Sequence, residues 1–264
     1  MTTSEFAARR RALTDRTIRA LTTQFTRPGA WRDAQGAAFV QAAVPTVAGA
    51  QRSLAALTAA FVADHASTAL RHRFAPPGVP DTAAVKLRGV DPRVVYERPF
   101  VALRTALSRG ETLTRSVQVG QNRLREIVEG DLQLTYAHAA RAAMNGLPKD
   151  ARPIGWRRVL VGLENCAMCV VASTQRYHRE ELNPIHLVCN CEVEPIYGPD
   201  RGQVIEPDLL RKVHAAVHDL TGEHDAGARS PDYRKLLTQI TAEHGELGQV
   251  LVRPLDHFTG SDGL

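Results

Sequence analysis

The sequence predicts a mainly α protein in three parts: an elongated N-terminal helical domain over residues 1–150, a small α/β module with a Cys/His cluster over 151–200, and a 201–264 segment of helices and an extended C-terminal tail. Three observations carry that expectation. Apolar residues recur at helical spacing through the first half of the chain. Two short strand-like runs then bracket the region that holds every cysteine, the second run opening with Cys189 and Cys191. The end of the chain, "HGELGQVLVRPLDHFTGSDGL", is rich in glycine and loses all periodicity.

The helical elements follow from spacing. Ile18, Leu21 and Phe25 mark a first, short helix. Val40, Val44, Val47, Leu54, Leu57 and Phe61 form a seam on one face of a second helix. Pro45 lies within that seam and should kink or break it, because proline lacks the amide proton the helix needs. "FAPPGVPDT" reads as a loop, since Pro76, Pro77 and Pro80 exclude regular structure. Asp91-Pro92 suits the start of another helix. Leu113, Val117, Leu124, Ile127 and Leu134 then predict a long helix bounded by Gly110 and Gly146.

Character changes after "GLPKDARPIG", which reads as a linker. "WRRVLVG" predicts a strand, "CNCEVEPIYG" a second strand, and a short helix lies between them. Leu210, Val213, Val217 and Leu220 predict an amphipathic helix, and Leu236, Leu237 and Ile240 a last one. The tail that follows reads as an arm able to dock on another surface.

Composition bounds the class of protein. With 44% hydrophobic and 23% charged residues the chain can bury a sizeable core, which excludes a disordered protein. The basic N-terminus has no apolar run behind it, so a secretory signal is not expected. "AAFVQAAVPTVAGA" is too short for a bilayer. Folding in a cytoplasm and no membrane partner are the expectations. Residues 1–150 hold 21 Lys plus Arg against 12 Asp plus Glu, a balance of +9, while the remainder carries −4. Nearly all of that positive charge is arginine, whose fork grips phosphate. Two readings stay open: a solvated helical surface, and a nucleic-acid surface without sequence preference.

All four cysteines, Cys166, Cys169, Cys189 and Cys191, lie in one tenth of the chain, with His186 beside the second pair. C-x2-C followed by H-x2-C-x-C is the spacing of two metal-binding knuckles, and a structural tetrahedral zinc is the expected cofactor. Five candidates compete for four places. Cys189 and Cys191 share a face on a strand, which would leave His186 outside; equally, His186 and Cys189 can mirror the first pair, leaving Cys191 outside. Disulfides or buried thiols are the rival readings, the former disfavoured by a reducing cytoplasm. An open catalytic zinc is not expected. His178-Arg179-Glu180 follows the cysteine pair it should precede in a zinc deaminase. His214 and His218 lack the glutamate of a metalloprotease helix and read as polar residues beside an apolar stripe.

The run of Cys166, Cys169, His186, Cys189, Cys191 and Pro195 resembles the phage Mu F-like minor head proteins, a head morphogenesis family. The likeness covers about residues 156–197. Where the family carries proline directly after the histidine, this chain has Leu187, with Pro184 ahead instead. The tail and the Arg/Ala-rich composition resemble versions from phages of actinobacteria. The resemblance implies a non-enzymatic virion component inside the head, associated with the portal, capsid or scaffold protein. Such a component acts in procapsid assembly or in DNA packaging and ejection. The Arg-rich half would then face packaged DNA or an acidic portal surface. A capsid maturation protease and a non-specific DNA-binding protein are the alternatives; no catalytic residue is assigned.

Overall fold

A computed structural model of the chain describes residues 1–26, 32–81, 87–161, 167–178, 191–199, 202–221, 241–244 and 248–251. Those residues are mainly helical, with a small three-stranded antiparallel sheet and a two-stranded hairpin. They divide into two compact units, Met1–Arg152 and the residues from Pro153 onward.

The first unit is built from α1 (Thr3–Phe25), α2 (Asp33–Leu70), α3 (Pro92–Ser108) and α4 (Leu113–Gly146). Local chemistry sets where each begins. Thr2 and Glu5 close a capping box on α1, the Asp91 side chain caps α3 with Pro92 at its first position, and the Thr112 hydroxyl caps α4. Gly110 precedes that cap at φ +85°, a conformation that costs glycine nothing. The helix expected between Gly110 and Gly146 is therefore present, though Leu113 at its start is exposed rather than part of the seam.

α4 packs against all three other helices. Two aromatic clusters fill the space between them. Phe6 of α1 stacks on Phe61 of α2, with centroids 4.4 Å apart, and meets Tyr136 of α4 at 5.4 Å. Phe25, Phe39 and Phe100, one from each of α1, α2 and α3, form the other cluster, with centroids 4.8 to 5.6 Å apart. A ring buries roughly 150–250 Å2. At about 25 cal/mol per Å2 that is a gross gain of about 4–6 kcal/mol each.

That magnitude explains a departure from expectation. Pro45 does not break its helix: α2 runs unbroken from Asp33 to Leu70 with Pro45 inside it. An interior proline costs about 3 kcal/mol, less than one buried ring returns. Pro45 and Gln41 are both exposed, so water can serve the Gln41 carbonyl that loses its helical donor. The first helix is also longer than expected, reaching back to Thr3. The proline-rich stretch around Pro76, Pro77 and Pro80 has no regular structure, as expected.

The second unit contains β1 (Gly155–Val159), α5 (Ala167–Ser173), β2 (Arg176–Tyr177), β3 (Glu192–Ile196) and α6 (Pro207–Thr221). The sheet order is β2-β1-β3, with β1 antiparallel to both neighbours. Gly155 is required in β1: a Cβ there would stand 2.6 Å from the Tyr177 carbonyl oxygen across the β1–β2 pair. β2 was not foreseen. Its edge is extended by the segment leading into α6, through a Gln175–Val204 bridge and an Arg176 amide bond to the Gln203 carbonyl. Among the described residues, α5 and α6 meet through buried Val170 and Val213, with Leu160, Val171 and Leu209 against them.

Beyond α6, β4 (Thr241–His244) and β5 (Gly248–Leu251) form an antiparallel hairpin, with Thr241 opposite Leu251. This corrects the tail reading: part of what was expected as an extended arm is a strand pair. The helix expected at Leu236, Leu237 and Ile240 lies outside the described residues, as does the tail from residue 252. No helix among the described residues is long and apolar enough to cross a membrane.

Candidate metal centre

Two of the five candidate ligands lie within the described residues, and the fold brings them together. Cys169 sits in α5 and Cys191 immediately precedes β3. Their sulfurs are 3.5 Å apart, and both side chains are buried, at 1% and 4% exposure. One cysteine of each pair is therefore in contact with one of the other. Cys166, His186 and Cys189 lie outside the described residues. Among the described residues alone, no group of three or more ligand side chains is assembled.

The sulfur separation has chemical content. A disulfide requires about 2.05 Å, so the two thiols are not cross-linked. Two thiolates on a tetrahedral zinc, each at about 2.3 Å from the metal, stand about 3.8 Å apart. The Cys169–Cys191 spacing lies close to that geometry, and the soft donor set suits zinc. Cys169 and Cys191 are thus donors of the type that would hold half of a tetrahedral zinc set, and no third ligand stands beside them among the described residues.

One neighbour was missed from sequence. Arg158 on β1 is buried, at 6% exposure, and its Nη1 donates to the Cys191 sulfur at 3.2 Å. Its guanidinium lies 5.1 Å from the centre of the Trp156 ring, two residues back on the same strand face. Trp156 is itself fixed, stacked on Tyr177 at 4.6 Å with Nε1 donating to the His178 carbonyl at 2.6 Å. Alternation held the signal: in "WRR" an inward Trp156 carries Arg158 inward and Arg157 outward. Arg157 indeed pairs with Glu194 at 2.8 Å and Glu206 at 3.4 Å.

One charged group of the first unit ties its helices together. Asp131, buried in α4, accepts from Tyr96 at 2.7 Å and from Arg88. Arg88 also donates to the Ile127 carbonyl at 3.2 Å. The neighbouring cavity, lined by Val44, Val47, Gln51 and Val95, measures about 50 Å3, room for a few waters. On α6, His214 and His218 are half-buried rather than fully solvent-facing.

No protein-family model, curated protein or solved structure matches this chain.

Proposed function

We propose that the chain is a structural component of a phage head, a Mu F-like minor head protein that associates with the portal and acts in procapsid assembly or in DNA packaging and ejection. The observation that carries this reading is the meeting of Cys169 and Cys191, since the knuckle pattern that resembles the family makes physical sense only if its halves converge. In this reading a structural zinc clamps the second unit. Ligation energy would supplement burial in a module of this size. The site then serves assembly, not turnover.

Co-expression with the portal, capsid and scaffold proteins of a phage encoding this chain tests the reading. The chain is expected in purified procapsids at few copies, and lost from them when the portal is omitted. Normal heads assembled without the chain, or capsid-protein cleavage that depends on it, would overturn the proposal.

A second reading has its own observation. Arg9, Arg11, Arg16 and Arg19 are all exposed on α1, with Arg9 and Arg16 two turns apart on one face, and arginine forks suit the phosphates of packaged DNA. It predicts sequence-independent DNA affinity that falls steeply with salt and weakens when these four become glutamine. Salt-insensitive binding, or none, would remove it.

A further inference from the structure

We propose that Arg158 is the positioning residue of the thiolate centre, and that Cys191, which it holds, is a metal ligand together with Cys169. The inference rests on the zinc reading above and chooses between the two ligand sets that the spacing left open. An arrangement with His186 and Cys189 as ligands and Cys191 outside would need no contact between Cys191 and the first knuckle. Instead the Cys191 sulfur lies 3.5 Å from that of Cys169.

The chemistry of the third partner points the same way. A zinc held by the four thiolates of the set that includes Cys191 carries a net charge of −2, so a buried centre of this kind gains from a fixed cation beside it. Arg158 supplies one, with a donor nitrogen 3.2 Å from the Cys191 sulfur. Arginine suits the place because its planar fork stacks on Trp156 while one N–H still reaches the sulfur; a lysine ammonium offers no such plane. The sheet register separates this group from the acidic side chains. Arg158 lies opposite Val193 and Arg157 opposite Glu194, so Trp156, Arg158, Cys191 and Val193 share one face while Arg157, Glu192 and Glu194 share the other.

The test uses the full chain loaded with zinc, and separately with cobalt(II), whose sulfur-to-metal charge-transfer absorption scales with the number of bound thiolates. Arg158→Met keeps the apolar stem and removes cation and donor. It is expected to weaken zinc binding 10–100-fold in competition with a chelator, the usual consequence of losing an outer partner, and to shift the charge-transfer band. Cys191→Ser is expected to remove one thiolate's share of that band. Parental affinity and spectrum in Arg158→Met, with the fold intact by circular dichroism, would overturn the role of Arg158. An unchanged band in Cys191→Ser would overturn the ligand assignment. Should Arg158→Met not fold, Arg158→Lys is read in the same way, with a smaller loss expected and parental affinity again overturning the role. A parent chain that binds neither metal would sink the zinc reading and this inference together, whereas failure confined to the variants sinks this inference alone.

Discussion

The Tyr96 hydroxyl donates a 2.7 Å hydrogen bond to Oδ2 of Asp131, tying α3 to α4 inside the helical unit. Arg88 approaches the other carboxylate oxygen, so the aspartate is bridged between a phenol and a guanidinium. Tyr96→Phe keeps the ring and removes one of these partners. A hydrogen bond to a charged group contributes about 1.5–3 kcal/mol, and a loss in that range is expected in urea unfolding of the helical unit. A difference below about 0.5 kcal/mol would mean that water replaces the phenol without penalty. Burial and the Asp131 charge both push the Tyr96 hydroxyl well above its ordinary value of 10.0. The unfolded chain therefore loses this proton first as pH rises. The parent should lose stability progressively above about pH 10, and Tyr96→Phe should lose less.

Gly120 is a position in α4 where an added methyl group would collide with its neighbours. A Cβ there would stand 2.6 Å from Cζ of Phe25 and 3.0 Å from the Pro99 carbonyl oxygen. In an exposed helix, replacing glycine with alanine gains about 1 kcal/mol. Here Phe25 is held by Phe39 and Phe100 and cannot retreat, and overpacking costs about 1–3 kcal/mol. Gly120→Ala is thus expected to be neutral to destabilising by about 2 kcal/mol in thermal unfolding. A gain near the full propensity value would show that the ring moves freely.

These two sites mark what sequence reading reaches. Helix α4 was legible because Val117, Leu124, Ile127 and Leu134 repeat at its period, and the start of α3 because Asp91-Pro92 is a local signal. The continuity of α2 through Pro45 was not, because a proline's local cost is visible in sequence while the burial that outweighs it comes from other helices. Arg176–Tyr177 is too short a strand to show alternation at all. Of the candidate centre, spacing named Cys169 and Cys191 among five candidates but did not say that these two would meet. Arg158 was hidden, because an arginine in a strand reads as solvent-facing until Trp156 fixes which face is inward.

Cys169→Ser separates the stability of the two units. On the zinc reading, losing a ligand removes several of the roughly 10–16 kcal/mol that structural zinc supplies to a small module. The effect should be confined to the second unit, because Cys169 belongs to it and the aromatic clusters that stabilise the first lie wholly within Met1–Arg152. Limited proteolysis of the full chain should show faster cleavage beyond Pro153 in the variant, with a fragment of the helical unit persisting equally in both. Indistinguishable digestion patterns would remove the ligation role of Cys169.

His138 gives the helical unit a dependence on mildly acidic pH. It lies on α4 with Nε2 buried and without a hydrogen-bond partner. Burial first, and the nearby Arg141 charge second, hold the imidazole below its ordinary value of 6.5. The folded state therefore prefers the neutral ring. As pH falls through 6.5 the unfolded chain takes the proton first. Stability is lost from there down to the lower folded value and levels off beneath it. Glu129 on the same helix works in the opposite sense. Burial raises its carboxyl above the ordinary 4.5, so its contribution improves as pH falls through that raised value. Comparing urea midpoints of the parent and His138→Gln at about pH 7.5 and about pH 5.5 isolates the histidine from this opposing group. The parent is expected to lose more stability than the variant between the two conditions. An equal loss would show that His138 is protonated as readily in the folded chain as in the unfolded one.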